Sequence, residues 1–314
     1  MYYVGIDLGG TSIKAGLVSE EGKILCKSTC PTLVERGARP VVDDMAKLVL
    51  DVVEKGGITM DDVKAVGIGL PGVQDPRTGR IPFCTNLGWH DVPVIEWMQE
   101  TIKKPIYVEN DATVAGLAES VSGVSAGIKN SVFLTLGTGV GGGVVLNGKV
   151  YSGDHGVGSE MGHMIILLGG EKCTCGNYGC WERYASATAI IRMGRKAAEE
   201  NNASLIYTSV NGNLDEITAK TVMDAAKAGD ESALKVFDDY VTYLCAGIVN
   251  IINAIDPEVI VLGGGVSHTG QFLLDAVRAK LPSMVFYKTM PYARIELATL
   301  GNDAGIIGAA MLGR

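Results

Sequence analysis

The stretch Tyr2-Tyr-Val-Gly-Ile-Asp7-Leu-Gly-Gly-Thr11 is an apolar run that leads straight into a glycine turn carrying a threonine. The same plan recurs at Ser131–Leu136 followed by Gly137-Thr-Gly-Val-Gly-Gly-Gly143, and Asn147-Gly148 then gives a hairpin signal. In both places a second strand-like segment follows the turn. We therefore predict an internal duplication, in which each copy places one glycine turn between two strands.

The remaining apolar segments alternate between strand and helix spacing, which indicates an α/β chain. Further strands are predicted near 13–18, 23–30, 63–70, 106–108, 144–146, 259–262 and 295–298, and helices near 40–54, 94–101, 112–120, 185–200, 218–227, 231–255, 272–281 and 303–312. At 314 residues the chain exceeds one comfortable core, so two domains are expected. No low-complexity linker separates them, and a helix or hinge near residues 115–125 is the expected boundary.

The composition is that of an ordinary globular protein, with 47% hydrophobic and 20% charged residues. A net charge of −8 argues against a nucleic-acid or anionic-membrane binder, although a local basic pocket for one nucleotide is compatible with it. No run of about 18 apolar residues suggests a membrane span, and the first residues lack the features of a signal peptide. Four of the seven cysteines are scattered, which suits a reducing compartment, so we expect a cytoplasmic protein.

Three cysteines and a histidine in the middle of the chain form a candidate metal site. The ligands would be His163, Cys173, Cys175 and Cys180. The C-x-C-x4-C spacing, with the histidine ten residues upstream, suits a structural tetrahedral Zn²⁺. Gly176 and Gly179 would let the backbone fold back so that the last cysteine reaches the ion. The alternative is three ordinary buried thiols and a core histidine.

Two carboxylates, Glu160 and Glu182, flank this set. Carboxylates are poorer zinc ligands than thiolates when both are offered. These two side chains would therefore remain available to accept hydrogen bonds, and hydroxyl groups are suitable donors. The zinc would staple two irregular segments so that Glu160, His163 and Glu182 point into one cavity.

The glycine turns do not match the common nucleotide-binding signatures. No G-x-x-x-x-G-K-[ST] sequence is present, and Gly139–Gly143 leads into a strand where the dinucleotide fingerprint opens a helix. A pair of Thr-bearing turns can instead hold the β- and γ-phosphates of ATP through backbone N–H groups. Asp7, at the end of the first strand, is placed to bind Mg²⁺ directly or through water. Each turn alone is better explained as a plain hairpin; the pair, with Asp7 and a third cluster at Gly263–Gly265, favours ATP.

Asp111 is the candidate general base for phosphoryl transfer. It follows a predicted strand and stands beside Asn110, whose amide can hold a substrate hydroxyl while the carboxylate deprotonates it. Alternatively, Asp111 only caps the helix that follows. Asn86, in Thr85-Asn-Leu-Gly-Trp89, can add a polar contact to a polyol, or be an ordinary loop residue.

Three motifs together resemble the ROK (repressor, open reading frame, kinase) family: Asp7–Thr11, Leu136–Gly143, and the set that runs from Glu160 to Glu182. The resemblance extends from residue 4 to about residue 310 and is greatest to the glucokinases of that family. It implies an α/β, two-domain actin-like ATPase (ribonuclease H-like) fold with a duplicated mixed β-sheet core and an interdomain cleft for sugar and ATP. The implied small domain is 1–118 plus 301–314, with the C-terminal helix returning to it, and the implied large domain is 119–300, with the zinc site.

The resemblance also implies a role for each matching residue. Asp111 would be the catalytic base. The sugar hydroxyls would be bound by Asn86, Asn110, Asp111, Glu160, His163 and Glu182. ATP would be bound by Asp7, Gly9, Gly10, Thr11, Lys14, Gly137, Thr138, Gly264 and Gly265, the last two facing the adenosine. One ring nitrogen of His163 would bind zinc and the other would face the sugar.

The resemblance implies conversion of glucose and ATP to glucose 6-phosphate and ADP by a homodimeric enzyme. Mannose, fructose and N-acetylhexosamine kinases would use nearly the same residues, so the preferred sugar stays open. The family also contains transcriptional repressors with a DNA-binding domain ahead of the first glycine turn. Only six residues precede Asp7 here and the net charge is acidic, so we expect no nucleic-acid partner. A non-catalytic sugar-binding regulator is the remaining alternative.

Overall fold

The computed structural model describes residues 1–314 and contains twelve β-strands and ten α-helices. The strands are β1 (Tyr2–Leu8), β2 (Ser12–Ser19), β3 (Ile24–Pro31), β4 (Val63–Leu70), β5 (Ile81–Cys84), β6 (Trp89–Val92), β7 (Ile106–Asn110), β8 (Ser131–Leu136), β9 (Val140–Leu146), β10 (Lys149–Val150), β11 (Val259–Gly263) and β12 (Arg294–Leu297). The helices are α1 (Ala38–Lys55), α2 (Val94–Thr101), α3 (Asp111–Ser122), α4 (Glu182–Ala185), α5 (Ala187–Glu200), α6 (Leu205–Thr208), α7 (Ala219–Lys227), α8 (Glu231–Ile255), α9 (Gln271–Met284) and α10 (Ala304–Met311).

The first sheet has the strand order β3-β2-β1-β4-β7. The hairpin strands β1, β2 and β3 pair antiparallel, whereas β4 and β7 continue the sheet parallel to β1. Seven of the eight residues of β4 are buried, as expected for a strand with neighbours on both sides and helices on both faces. The edge strand β3 instead alternates half-buried and exposed residues, which keeps one of its faces polar.

The second sheet has the order β10-β9-β8-β11-β12, which repeats the first sheet strand for strand. If the five strands of each sheet are numbered in chain order, both sheets have the spatial order 3-2-1-4-5. The predicted duplication is therefore confirmed. The hairpin turn of this copy lies at Asn147-Gly148, where both residues have positive φ (53° and 75°), as a type I′ turn requires.

The chain divides into two compact units: residues 1–133, 143–159 and 299–314 form one, and residues 134–142 and 160–298 form the other. In the first unit, α1 and α2 cover one face of the sheet with a large apolar core. On the other face α3 and α10 pack against Tyr3 and Val18. The C-terminal helix therefore returns to the first unit, as expected.

Helix α10 lies very close to the sheet because glycines face it. A Cβ atom on Gly5 would stand 1.9 Å from the carbonyl oxygen of Ile306, and one on Gly67 would stand 1.7 Å from that of Ala309. Real Cβ atoms do not approach backbone oxygens so closely, so only glycine fits at either strand position.

The second unit is mainly helical around α8, a 25-residue helix. Trp181 is fully buried, and its indole N–H donates to the carbonyl oxygen of Tyr243 at 2.8 Å. The ring lies against Gly247, where a Cβ atom would be 2.0 Å from it. Trp181 thereby anchors the loop before it to α8. None of the helices is both long and apolar enough to cross a lipid bilayer.

Candidate active site and metal centre

The first glycine turn joins β1 to β2 and is closed by a hydrogen bond from Gly9 N to Ser12 O at 3.0 Å. The hydroxyl of Thr32 donates to the carbonyl oxygen of Gly9 at 2.6 Å, which fixes the turn from the side of β3. Gly10 and Thr11 are exposed, so their N–H and hydroxyl groups are accessible to an anion.

Asp7 and Lys14 are paired across β1 and β2 and form an ion pair of 3.2 Å. The Asp7 side chain is 24% exposed to solvent. Gly305 of α10 lies against it, since a Cβ atom there would be 2.8 Å from the Asp7 carboxyl carbon. A carboxylate and an ammonium group thus stand together beside the first glycine turn, which suits both Mg²⁺ and phosphate.

The second glycine turn lies between β8 and β9. Gly137 N donates to Gly139 O at 3.0 Å, and two contacts from the start of α5 hold the turn from outside. The third glycine cluster follows β11. Gly264 has φ 82°, and a Cβ atom there would stand 2.6 Å from the backbone nitrogen of Leu136, so a side chain is excluded on both counts.

Asn110 and Asp111 stand where β7 ends and α3 begins. Asn110 is the N-cap: its side-chain oxygen accepts from Ala112 N at 2.9 Å and from Thr113 N at 3.3 Å. Its side-chain nitrogen donates to Gly72 O at 3.3 Å and keeps a second N–H. Asp111 is exposed on the first residue of the helix, where the helix dipole favours a carboxylate. The predicted strand-to-helix placement is confirmed. Asn110 is the N-cap, and the Asp111 carboxylate also accepts from Ala112 N at 2.7 Å.

Glu109 supports the strand end that bears Asn110 and Asp111, and the sequence analysis did not identify this role. Its carboxylate accepts from Asn110 N at 2.8 Å and from the hydroxyl of Ser152 at 2.5 Å. It thereby ties the segment that follows β10 to the strand end that bears Asp111. Its position directly before Asn110 was the available signal, but its partner is 43 residues away in the sequence.

Asn86 lies in a single 3₁₀ turn, Thr85–Leu87, and is exposed. The turn ends at Gly88, which has φ 63°. Beside it is an open cavity of about 740 Å³ that is also lined by Trp89, His90 and Trp97. The amide of Asn86 is thus accessible to a polar ligand.

The four predicted metal ligands come together in the second unit. The ligand atoms of His163, Cys173, Cys175 and Cys180 all lie within 4.8 Å of one another. Cys173 Sγ is 3.7 Å from His163 Nδ1, and Cys175 Sγ is 3.6 Å from Cys180 Sγ. Tetrahedral Zn²⁺ with ordinary bond lengths requires separations of about 3.6 to 3.8 Å. The donor set and these two separations therefore fit zinc, and the shorter histidine contact is made by Nδ1.

The loop reaches this geometry through left-handed glycines. Gly176 has φ 95° and Gly179 has φ 80°, as expected for the fold-back that brings Cys180 to the other cysteines. Burial raises the pKa of Cys173, and burial raises that of Cys180 to about 12. Cys175 is exposed, and the backbone N–H of Asn177 lowers its pKa. A metal ion would therefore have to displace protons from the two buried thiols.

The two flanking carboxylates differ in their surroundings. Glu160 is exposed directly before the short 3₁₀ helix Met161–His163, and its carbonyl oxygen accepts from His163 N at 3.1 Å. Glu182 begins α4, and its carboxylate accepts from Cys173 Sγ at 3.1 Å. The thiol contact places Glu182 directly beside the candidate metal ligands.

Two solved structures with a similar fold are sugar kinases. A crystal structure of a ROK family glucokinase from Streptomyces griseus in complex with glucose and AMPPNP matches with a TM-score of 0.81 at 34% identity, covering 99% of each chain. The ROK hexokinase from Thermus thermophilus matches with a TM-score of 0.85 at 32% identity, covering 99% of this chain and 97% of that one. Together with the duplicated sheets and their glycine turns, these matches define a two-domain ATPase with the actin-like fold.

Sequence relatives give the narrower classification. The glucokinase of Halalkalibacterium halodurans is 38% identical over 312 residues, which cover 99% of this chain and 94% of that protein. The model of the ROK family matches residues 3–314. The chain belongs to the ROK family.

Proposed function

We propose that this protein is an ATP-dependent hexose kinase that converts glucose and ATP to glucose 6-phosphate and ADP. Relatives named glucokinase and a similar structure solved with glucose and AMPPNP support this activity. The observation that carries the mechanism is the exposed carboxylate of Asp111 on the first residue of α3, next to Asn110, which takes the capping role.

The reaction needs one proton acceptor and well-placed charge. The sugar hydroxyl oxygen attacks the γ-phosphorus, the bond to the bridging oxygen of ADP breaks, and Asp111 accepts the hydroxyl proton. The free N–H of the Asn110 side chain can orient the same hydroxyl, because its other N–H is used by Gly72. Catalysis by positioning and charge stabilisation is sufficient for phosphoryl transfer.

The remaining roles follow the chemistry of each group. Sugar hydroxyls would be bound by Asn86, Asn110, Glu160, His163 and Glu182, with the Nδ1 of His163 directed to the metal and Nε2 to the sugar. The phosphates would be bound by Gly9, Gly10, Thr11 and Lys14 in the first turn and by Gly137 and Thr138 in the second, with Gly264 and Gly265 next to the adenosine. Exposed N–H groups in the turns and the Lys14 ammonium support the phosphate assignments.

Two metal ions complete the proposal. Asp7 would hold Mg²⁺ directly or through water, and Mg²⁺ supplies neutralisation of the phosphate charge. His163, Cys173, Cys175 and Cys180 would hold a structural Zn²⁺, which orders the segments that bear Glu160 and Glu182. We also propose that the enzyme is a cytoplasmic homodimer, with domains at 1–118 plus 301–314 and at 119–300.

A coupled assay of ADP release with a panel of hexoses and N-acetylhexosamines tests the proposed function. We expect the highest kcat/KM with glucose. Turnover restricted to an N-acetylhexosamine, mannose or fructose would reassign the substrate within the same class of enzyme. Binding of sugar with no turnover of any panel member would contradict the kinase assignment and favour a sugar-binding regulator.

A further inference from the structure

The second glycine turn is held by a short segment that begins at Glu182. The backbone N–H of Ala187 donates to the carbonyl oxygen of Gly137 at 2.8 Å. The hydroxyl of Thr188 donates to the carbonyl oxygen of Thr138 at 2.7 Å. Two consecutive carbonyl groups of the turn are therefore fixed by two consecutive residues at the start of α5.

The first residue of the same segment lies against the turn as well. A Cβ atom on Gly139 would stand 2.5 Å from Oε2 of Glu182. Gly139 does not have a positive φ, so a side chain there would meet only this carboxylate, which would have to move to make room for it. By contrast, a Cβ atom on Gly137 would meet nothing within 4 Å. Crowding within the turn is thus confined to the position that faces Glu182.

The residues between Glu182 and Ala187 are tightly packed. Tyr184, Ala185 and Ser186 are buried, and the Ser186 hydroxyl oxygen caps α5 by accepting from Ala189 N at 3.2 Å. A displacement at one end of a packed segment of this kind is passed to the other end, because its interior cannot deform freely. Glu182 and the turn therefore share one rigid support.

We propose that Thr188 and Gly139 are positioning residues that couple sugar binding to nucleotide binding. This inference rests on the proposed function, in which Glu182 binds the sugar and the turn binds phosphate. Phosphate bound to the turn holds Gly139 in one position. Because the connecting segment is packed tightly, the Glu182 carboxylate is then also held in the position in which it binds the sugar. Coupling of this kind is reciprocal, so glucose strengthens nucleotide binding by the same factor.

Calorimetric titration of glucose, with and without saturating AMPPNP and Mg²⁺, measures the coupling in the zinc-loaded protein. For the wild type we expect AMPPNP to tighten glucose binding about fivefold. Thr188→Val keeps the shape but removes the donor, and should bring this ratio close to one with little effect on glucose binding alone. Thr188→Ser keeps the hydroxyl and should retain the ratio. Gly139→Ala should weaken glucose binding by displacing the Glu182 carboxylate, with zinc content by mass spectrometry unchanged.

A wild-type ratio of one would overturn the proposal. So would an undiminished ratio in Thr188→Val, because the coupling would then run through other parts of the protein. Both outcomes leave the proposed function intact, since that stands or falls on whether the wild type phosphorylates a hexose at all.

Discussion

The carboxylate of Glu119 accepts the backbone N–H of Thr299 at 2.8 Å, across 180 residues of sequence. The same carboxylate accepts from Leu300 N, from Val124 N and from the Thr299 hydroxyl, and the residue is fully buried. Thr299 is where the chain re-enters the first unit before α10. Glu119 therefore fixes that point to α3, the helix that begins at Asp111.

Replacing Glu119 with Ala should reduce the free energy of unfolding by about 3 kcal/mol, because three backbone N–H groups lose the buried carboxylate that accepts from them. Urea denaturation followed by circular dichroism measures the change. Ser120→Ala, on the same helix, is the control and should have a much smaller effect. Equal stability of the two variants would show that water or another group replaces the carboxylate.

Capping and sugar binding by Asn110 can be separated. Asn110→Ala removes the N-cap and should cost about 1 kcal/mol of stability. Asn110→Ser restores a capping oxygen but not the side-chain N–H, so it should recover stability while KM for the sugar stays raised. Thermal melts and steady-state kinetics on both variants test this. A normal KM in Asn110→Ser would show that the side-chain N–H of Asn110 does not contribute to sugar binding.

Loss of the metal should affect both stability and sugar affinity. Cys175→Ser removes one of four ligands, so zinc content should fall and the segments bearing Glu160 and Glu182 should lose order. Elemental analysis, melting temperature and glucose affinity are the measurements. Cys30→Ser, at a half-buried cysteine remote in sequence from the ligands, is the matched control. Full sugar affinity in metal-free protein would show that zinc does not contribute to sugar binding.

Zinc affinity should fall as the pH falls. Burial raises the pKa of Cys173 and Cys180, so both thiols are protonated in the metal-free protein near neutral pH and zinc must displace both protons. Displacement of these two protons weakens the apparent affinity by about 100-fold for each pH unit of acidification, and any proton that Cys175 holds adds to the slope. Competition with a chromogenic chelator between about pH 6 and pH 8 measures this pH dependence of the apparent zinc affinity. An affinity independent of pH would mean that the thiols are already ionised.

Local sequence signals predicted most of the architecture. The glycine turns and the apolar runs around them indicated both copies of the sheet, since strand and turn preferences act over a few residues. The hairpin of β5 and β6 was missed because each strand has four residues, two of them exposed, and Pro82 interrupts the first. The four candidate metal ligands were predicted from the sequence because all of them lie within 18 residues of one another.

The supporting contacts of the site were not predictable in the same way. Glu119 meets Thr299, Glu109 meets Ser152, and Thr188 meets Thr138 only after the chain has folded. The sequence around Glu109, Glu119 and Thr188 shows only an ordinary strand or helix. Their roles depend on partners 43 to 180 residues away, and no periodicity or motif records such pairs.

The central claim is that Asp111 takes the proton from the sugar hydroxyl. Asp111→Asn keeps the size of the side chain and removes the base, so kcat for glucose phosphorylation should fall by at least about 100-fold. Glucose binding by calorimetry and the melting temperature should remain close to those of the wild type. A kcat within a few-fold of the wild type, with glucose still bound, would contradict the assignment of Asp111 as the base.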